Sequence, residues 1–299
     1  MNRLLDKCML CPKMCGVNRN NGEFGACKSG NKIKIAKAYL HMWEEPSITG
    51  ANGSGTIFFS GCNLRCIFCQ NYKISSENIG KEISVERLKE ICLELQNMGA
   101  NNINLVTGTH FLPLIKEALT LAKKEGLTIP IVYNTSSYEN VESLKEMEGL
   151  IDIYLPDLKY YDNKLAENFS LANNYFEIAT NAIKEMVRQT GKPVIENNIM
   201  KKGVIVRHLL LPNHLEDSKK ISKYLHDTYN KDIYISIMNQ YTPIKKFDKY
   251  PELNRTLTDK EYDELVNYAC DLNITQAFIQ EGETCKESFI PDFTNYDEI

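Results

Sequence analysis

The sequence has no apolar run near the ~20 residues that a membrane-spanning helix requires. Its first residues, MNRLLDKCMLCPKMC, lack the apolar core of a secretory signal. No membrane partner is expected from this, and a cytoplasmic location is. An excess of charge of either sign is also missing. The net charge is −4 and the isoelectric point about 5.8. Lys and Arg are scattered rather than clustered, which leaves no basic footprint for nucleic acid. There is no internal repeat and no low-complexity tract. With 43% hydrophobic and 25% charged residues, the chain has the balance of a folded globular protein.

What the sequence holds in unusual number is cysteine, ten in 299 residues. Cytoplasmic thiols stay reduced, so metal binding or catalysis explains them better than disulfides. Seven fall in two groups: Cys8, Cys11, Cys15 and Cys27, then Cys62, Cys66 and Cys69. Of the three that stand alone, Cys92 and Cys270 lie in helix-like, apolar surroundings and are expected in the core.

Residues 1–55 are rich in Cys, Gly and Asn and end in the turn-forming run Gly50-Ala51-Asn52-Gly53-Ser54-Gly55. They are read as a small cysteine-rich extension with a metal site, and residues 56–299 as the main domain. From Thr56 onward, short apolar runs alternate with amphipathic segments. Strands are expected at Thr56–Ser60, Ile103–Val106, Ile129–Tyr133, Ile151–Leu155, Val204–Leu211 and Tyr234–Met238. Helices are expected near 84–98, 111–125, 141–148, 174–190, 215–229 and 258–272, with Ser84 and Thr258 as N-caps. This alternation predicts an α/β fold with a parallel sheet. Six repeats fit a partial (β/α)6 TIM-like barrel better than a closed eight-fold one, with a doubly wound open sheet as the alternative.

In either architecture the ligand lies at the C-terminal ends of the strands. Polar residues follow nearly every expected strand: Cys62, Thr107-Gly108-Thr109-His110, Asn134-Thr135-Ser136-Ser137, Asp157 with Lys159, and Asn239-Gln240-Tyr241. Arg207 lies within the fifth strand, among apolar residues. The chemistry comes from Gly61-Cys62-Asn63-Leu64-Arg65-Cys66-Ile67-Phe68-Cys69-Gln70-Asn71. Three thiolates on one loop can hold an iron–sulfur cluster, and because a cubane has four irons, one iron stays open to a ligand. A zinc site would need a fourth partner; no histidine is near, and zinc sites more often show paired CxxC spacing.

The CxxxCxxC spacing after the first strand, with Phe68 before the last cysteine, resembles the signature of the radical S-adenosylmethionine (SAM) superfamily. The resemblance implies a 4Fe–4S cluster on Cys62, Cys66 and Cys69 and reductive cleavage of SAM to a hydrogen-abstracting 5′-deoxyadenosyl radical. It also implies Phe68 beside the adenine and a donor such as flavodoxin or ferredoxin; an open cluster is oxygen-sensitive, so an anaerobic setting is expected. Asp157-Leu158-Lys159 and Arg207 resemble elements of glycyl-radical-enzyme activases, where the lysine and arginine hold SAM. The stretch Trp43-Glu44-Glu45-Pro46 and the run 55–71 resemble the pyruvate formate-lyase-activating-enzyme-like branch. One departure stands out. The Gly-Gly-Glu element that usually binds the SAM amino group is replaced by Thr107-Gly108-Thr109-His110, where Thr107 and Thr109 can serve through backbone and hydroxyl groups. Asn239 is a further candidate for contact with the nucleoside.

Four thiolates at Cys8, Cys11, Cys15 and Cys27 suffice for a zinc ion or a second Fe–S cluster. Three functions follow: activation of a glycyl radical enzyme, modification of a small molecule or peptide, or non-enzymatic electron transfer. Cys285 is an isolated candidate hydrogen donor. Gln280-Glu281, His208 and His214 are weaker candidates.

Overall fold

The computed structural model describes residues 3–280, 291 and 293. Residues 3–32 carry only two 3-10 turns, Arg3–Leu5 and Arg19–Asn21. Regular structure begins with β1 (Ile33–His41), the one-turn helix α1 (Pro46–Thr49), β2 (Ser54–Phe59), the short α2 (Tyr72–Ser75) and β3 (Lys81–Ile83). Strand and helix then alternate through α3 (Val85–Asn97), β4 (Ile103–Val106), α4 (Leu112–Lys124), β5 (Ile131–Thr135), α5 (Val141–Lys145) and β6 (Ile153–Pro156). Two helices, α6 (Asn163–Ser170) and α7 (Tyr175–Thr190), precede the hairpin of β7 (Val194–Glu196) and β8 (Ile199–Leu209). The described chain closes with α8 (Leu215–Tyr229), β9 (Tyr234–Met238), α9 (Asp259–Asp271) and β10 (Ala277–Ile279).

Among the described residues the strands form one sheet in the order β10-β9-β8-β6-β5-β4-β2-β1-β3, with β7 paired to β8. The run from β2 to β10 is parallel, each strand beside its successor. A doubly wound sheet reverses its strand order at a switch point; this one does not, so the architecture is a TIM-like barrel left unclosed. All six expected strands are present, and β10 adds a seventh parallel one. The antiparallel pair β1 and β3 extends the other edge. The sheet therefore starts at Ile33, inside the segment expected to form the extension.

Strands β4, β5 and β6 are buried along their whole length, as parallel strands covered on both faces must be. Alternate side chains face the helices. Ile103, Leu105, Ile131, Tyr133, Tyr154, Val204 and Val206 share the main core with Leu88 and Ile91 of α3 and Ile115 and Leu119 of α4. The opposite set points inward, where Val132, Ile153, Leu155 and Ile205 close around Ile48 of α1. The short α1 thus plugs the barrel, and towards the strands' C-terminal ends the interior turns polar.

Both expected N-caps form. Ser84 Oγ accepts from Arg87 N–H at 3.0 Å. Thr258 and Glu261 make a reciprocal capping box, which satisfies two otherwise orphaned donors. Thr258→Ala is expected to cost about 1 kcal/mol, read as a lower urea midpoint with unchanged slope. Cys92 is buried in the core, whereas Cys270 lies exposed on α9. No helix among the described residues is long and apolar enough to cross a membrane.

Candidate active site

The cysteine loop leaves β2 through Gly61, whose φ of +86° favours glycine. A Cβ there would sit 2.7 Å from the carbonyl oxygen of Cys27 and 2.6 Å from Ser29 Oγ, so the N-terminal segment packs directly against the loop. Backbone bonds pin the loop to α6: Arg65 N–H donates to Ser170 O at 3.2 Å and Ile67 N–H to Phe169 O at 2.8 Å. Asn63 Nδ2 donates to Tyr138 O at 2.6 Å. Each sulfur has a polar neighbour. Leu64 N–H donates to Cys62 Sγ at 3.4 Å, Ser170 Oγ to Cys66 Sγ at 2.9 Å, and Ser75 Oγ lies 3.3 Å from Cys69 Sγ.

All three cysteines line one cavity of about 850 Å³ that spans the unclosed barrel from the β1 side to the β10 side. Burial pushes the Cys62 and Cys66 thiols up, and neighbouring cysteines add to it. Free thiols held this way stay protonated, whereas a bound metal deprotonates its thiol ligands outright. No group of three or more His, Cys, Asp or Glu side chains among the described residues converges on a single metal-ion position. The fit to an iron–sulfur cluster rests on the donor set: three thiols from one loop, facing one cavity, with hydrogen-bond donors at the sulfurs of the kind that tune cluster potential.

Across the cavity the strand ends supply charge. Asp157, directly after β6, bridges Lys159 Nζ at 2.7 Å and Arg207 Nε at 2.9 Å. Arg207, on β8, also donates to Asn134 Oδ1 at 2.7 Å and to Glu44 Oε2 at 3.3 Å. Asn104 Nδ2 donates to Glu44 Oε1 at 3.0 Å. Burial opposes ionisation of Asp157, but Arg207 and Lys159 outweigh it and hold the carboxyl below its usual range. Burial likewise works against Lys159, yet Asp157 holds its ammonium above the ordinary value. Glu44 and Glu45 are different: burial dominates and raises both against the pull of Arg207, Glu45 to about 7.

Of the other expected site residues, Phe68 lines the cavity and meets Tyr241 and Phe169 edge-on. Thr107 also lines it, in a left-handed conformation (φ +61°) that is strained for a β-branched residue. Thr109 turns away: its hydroxyl donates to the buried Glu139 at 2.6 Å, and Thr135 and Tyr133 bond to the same oxygen. Asn239 is not among the lining residues; its N–H donates to Gln280 Oε1 at 3.0 Å. His208 is buried and bonded to Leu158 O and Ser218 Oγ, and His110 to Ser60 O, all as structural contacts. His214 stands 3.9 Å from Glu252. Glu281 and Cys285 lie outside the described residues.

In the N-terminal segment, burial pushes the Cys11 thiol up to about 12, and Cys27 and Cys15 lie close enough to add to it. Cys15 Sγ accepts from Ala26 N–H at 3.3 Å, and Cys8 Sγ lies 3.9 Å from the Arg19 guanidinium. The segment is docked on the barrel through Asn140 to Met9 O (2.7 Å) and Ser143 to Leu10 O (2.8 Å).

A cysteine loop at the C-terminal rim of an unclosed parallel barrel, sharing one cavity with the largely shielded cations Lys159 and Arg207, defines a class. The sequence model described as the Radical SAM superfamily matches residues 56–225, and the chain belongs to that superfamily. Uncharacterized protein MJ0674 of Methanocaldococcus jannaschii is 31% identical over 283 residues, 91% of this chain and 76% of that one. Pyruvate formate-lyase 1-activating enzyme of Escherichia coli is 25% identical over 142 residues, 46% of this chain and 58% of that enzyme, so the match spans little more than half its length. A radical SAM methyltransferase from Sphaerobacter thermophilus shares the fold, with a TM-score of 0.54 at 12% identity over 77% of this chain and 67% of that one. Membership of the family implies a 4Fe–4S cluster and SAM.

Glu44 and Glu45 were not legible as site residues in the sequence. The Trp43-Glu44-Glu45-Pro46 stretch carried a family resemblance, but nothing local announced that both carboxyls are buried in the barrel.

Proposed function

We propose that the chain is a radical SAM enzyme of the activating type, in which Cys62, Cys66 and Cys69 hold a 4Fe–4S cluster. The observation that carries this reading is a single cavity bounded by the three thiols on one side and by Lys159, Asp157 and Arg207 on the other. When bound, the cluster supplies one electron that breaks a sulfonium C–S bond of SAM, giving methionine and a 5′-deoxyadenosyl radical. Lys159 and Arg207 provide charge-assisted bonds for the SAM carboxylate, and Asp157 holds both cations in place. Phe68 supplies an apolar face for the adenine, and Thr107 polar backbone at the cavity wall. A flavodoxin or ferredoxin serves as reductant, and Cys8, Cys11, Cys15 and Cys27 hold a second metal or cluster. Lys159→Gln is expected to weaken SAM binding about tenfold, measured by anaerobic equilibrium dialysis.

The kinship with pyruvate formate-lyase-activating enzymes supports a glycyl radical enzyme as the hydrogen donor. Reduced protein incubated with SAM and pyruvate formate-lyase is then expected to give a glycyl radical signal by electron paramagnetic resonance. SAM cleavage without that signal would turn the assignment to a small molecule or peptide. That second reading is favoured by Glu44 and Glu45, which give the cavity a polar, acidic floor suited to a compact ligand.

A further inference from the structure

The charges lining the cavity do not pair off. Among the described lining residues the carboxyls are Glu44, Glu45 and Asp157, and the cations Lys159 and Arg207. Lys159 is bonded to Asp157, and Arg207 to Asp157, Glu44 and Asn134. Glu45 is 8% exposed. One of its oxygens bonds to Ser236, and Arg207 acts on it only through its charge. The other oxygen, Oε2, is buried without a hydrogen-bond partner. An unpartnered buried carboxylate oxygen is costly, and an exception of this kind calls for a reason.

The position of that oxygen is fixed by the fold. Glu45 immediately precedes α1, and its carbonyl accepts from Ile48 N–H at 2.8 Å and Thr49 N–H at 3.0 Å. Pro46 stiffens the turn, and Ile48 is locked among the inward side chains of β5, β6 and β8. Glu45 therefore lines the cavity from the plug of the barrel, with Oε2 buried at its wall, while the cysteines enter from the loop after β2. In its ionised form, which a bound cation favours against the burial that raises Glu45 to about 7, the carboxylate has acceptor capacity only. The group that completes it is therefore a donor, and next to Glu44 a cation suits it better than a neutral donor. A carboxylate or phosphate placed at Oε2 would meet repulsion from both glutamates, whereas one placed against Lys159 and Arg207 would not.

We infer that Glu45 positions the hydrogen-donating substrate by binding a protonated amine carried by that substrate, which defines the class as amine-bearing rather than anionic. The inference rests on the radical SAM reading of the same cavity. SAM also carries an amine, so the test must separate the two sources.

The test uses the full chain, reconstituted anaerobically and saturated with SAM, with ethylammonium and acetate as probes of matched size. Apparent probe affinity is read from the concentration dependence of the thermal midpoint, and SAM affinity from equilibrium dialysis. Ethylammonium is expected to raise the wild-type midpoint saturably and acetate not to. Glu45→Gln, which keeps the shape and removes the charge, is expected to weaken ethylammonium binding about tenfold or more. Glu45→Asp is expected to restore part of it, and SAM affinity to persist in both variants. An ethylammonium response that is absent from wild type or equal in wild type and Glu45→Gln overturns the inference, as does preferred acetate binding. A parallel loss of SAM affinity in Glu45→Gln also overturns it, by placing Glu45 in the SAM pocket. Failure of wild type to bind SAM would overturn the radical SAM reading itself.

Discussion

Cys66→Ala is expected to lower reductive SAM cleavage by ~10³-fold or more, measured as 5′-deoxyadenosine formed anaerobically with a chemical reductant. Cys66 sits at the centre of the CxxxCxxC loop, and its sulfur accepts a hydroxyl bond from Ser170 at 2.9 Å. Ser170 is itself fixed by Tyr160 at 2.7 Å. In the proposed site, removing this thiol leaves two ligands on a loop whose path is set by α6, and no other cysteine of the loop can take its place. Cys92→Ala is the matched control. Its thiol is buried in the core beneath α3, so the change is expected to reduce stability and leave SAM cleavage intact. Equal loss in both variants would show that the effect of Cys66→Ala is one of folding.

The second large effect is on stability. Arg207→Met removes the cation shared by Asp157 and Glu44, whose side chains are only 14% and 8% exposed. Breaking a buried pair in this way strands uncompensated charge, and ~3–5 kcal/mol is the usual scale. The variant is expected to unfold at a much lower denaturant midpoint than wild type. Adding Glu44→Gln to Arg207→Met is expected to recover part of the loss, because one stranded carboxylate is gone. The two changes touch one network, so their effects should not add. Additive effects would mean that Glu44 and Arg207 are not energetically coupled.

The parallel strands were legible because burial on both faces writes them as short apolar runs, as in Ile-Asn-Leu-Val at 103–106 and Ile-Tyr-Leu-Pro at 153–156. The cysteine loop was legible because its three thiols fall within eight consecutive residues. What escaped depends on distant contacts. In β1, Lys34 and Lys37 interrupt the apolar pattern, and pairing with β2 and β3 decides its state. Strands β3 and β10, of three residues each, carry too little pattern to recognise. Which threonine of the 107–110 run reaches the cavity turns on the left-handed backbone of Thr107 and on the Glu139 hydroxyl network that captures Thr109. Glu44 and Glu45 owe their burial to α1 packing against β8, some 150 residues along the chain.

SAM is expected to bind the open iron of a three-cysteine cluster. Low-temperature electron paramagnetic resonance of the reduced protein, recorded with and without SAM, tests it. The expected result is a cluster signal that changes when SAM is added and is absent in Cys66→Ala. A signal that is unaffected by SAM, or that survives the loss of Cys66, would contradict it.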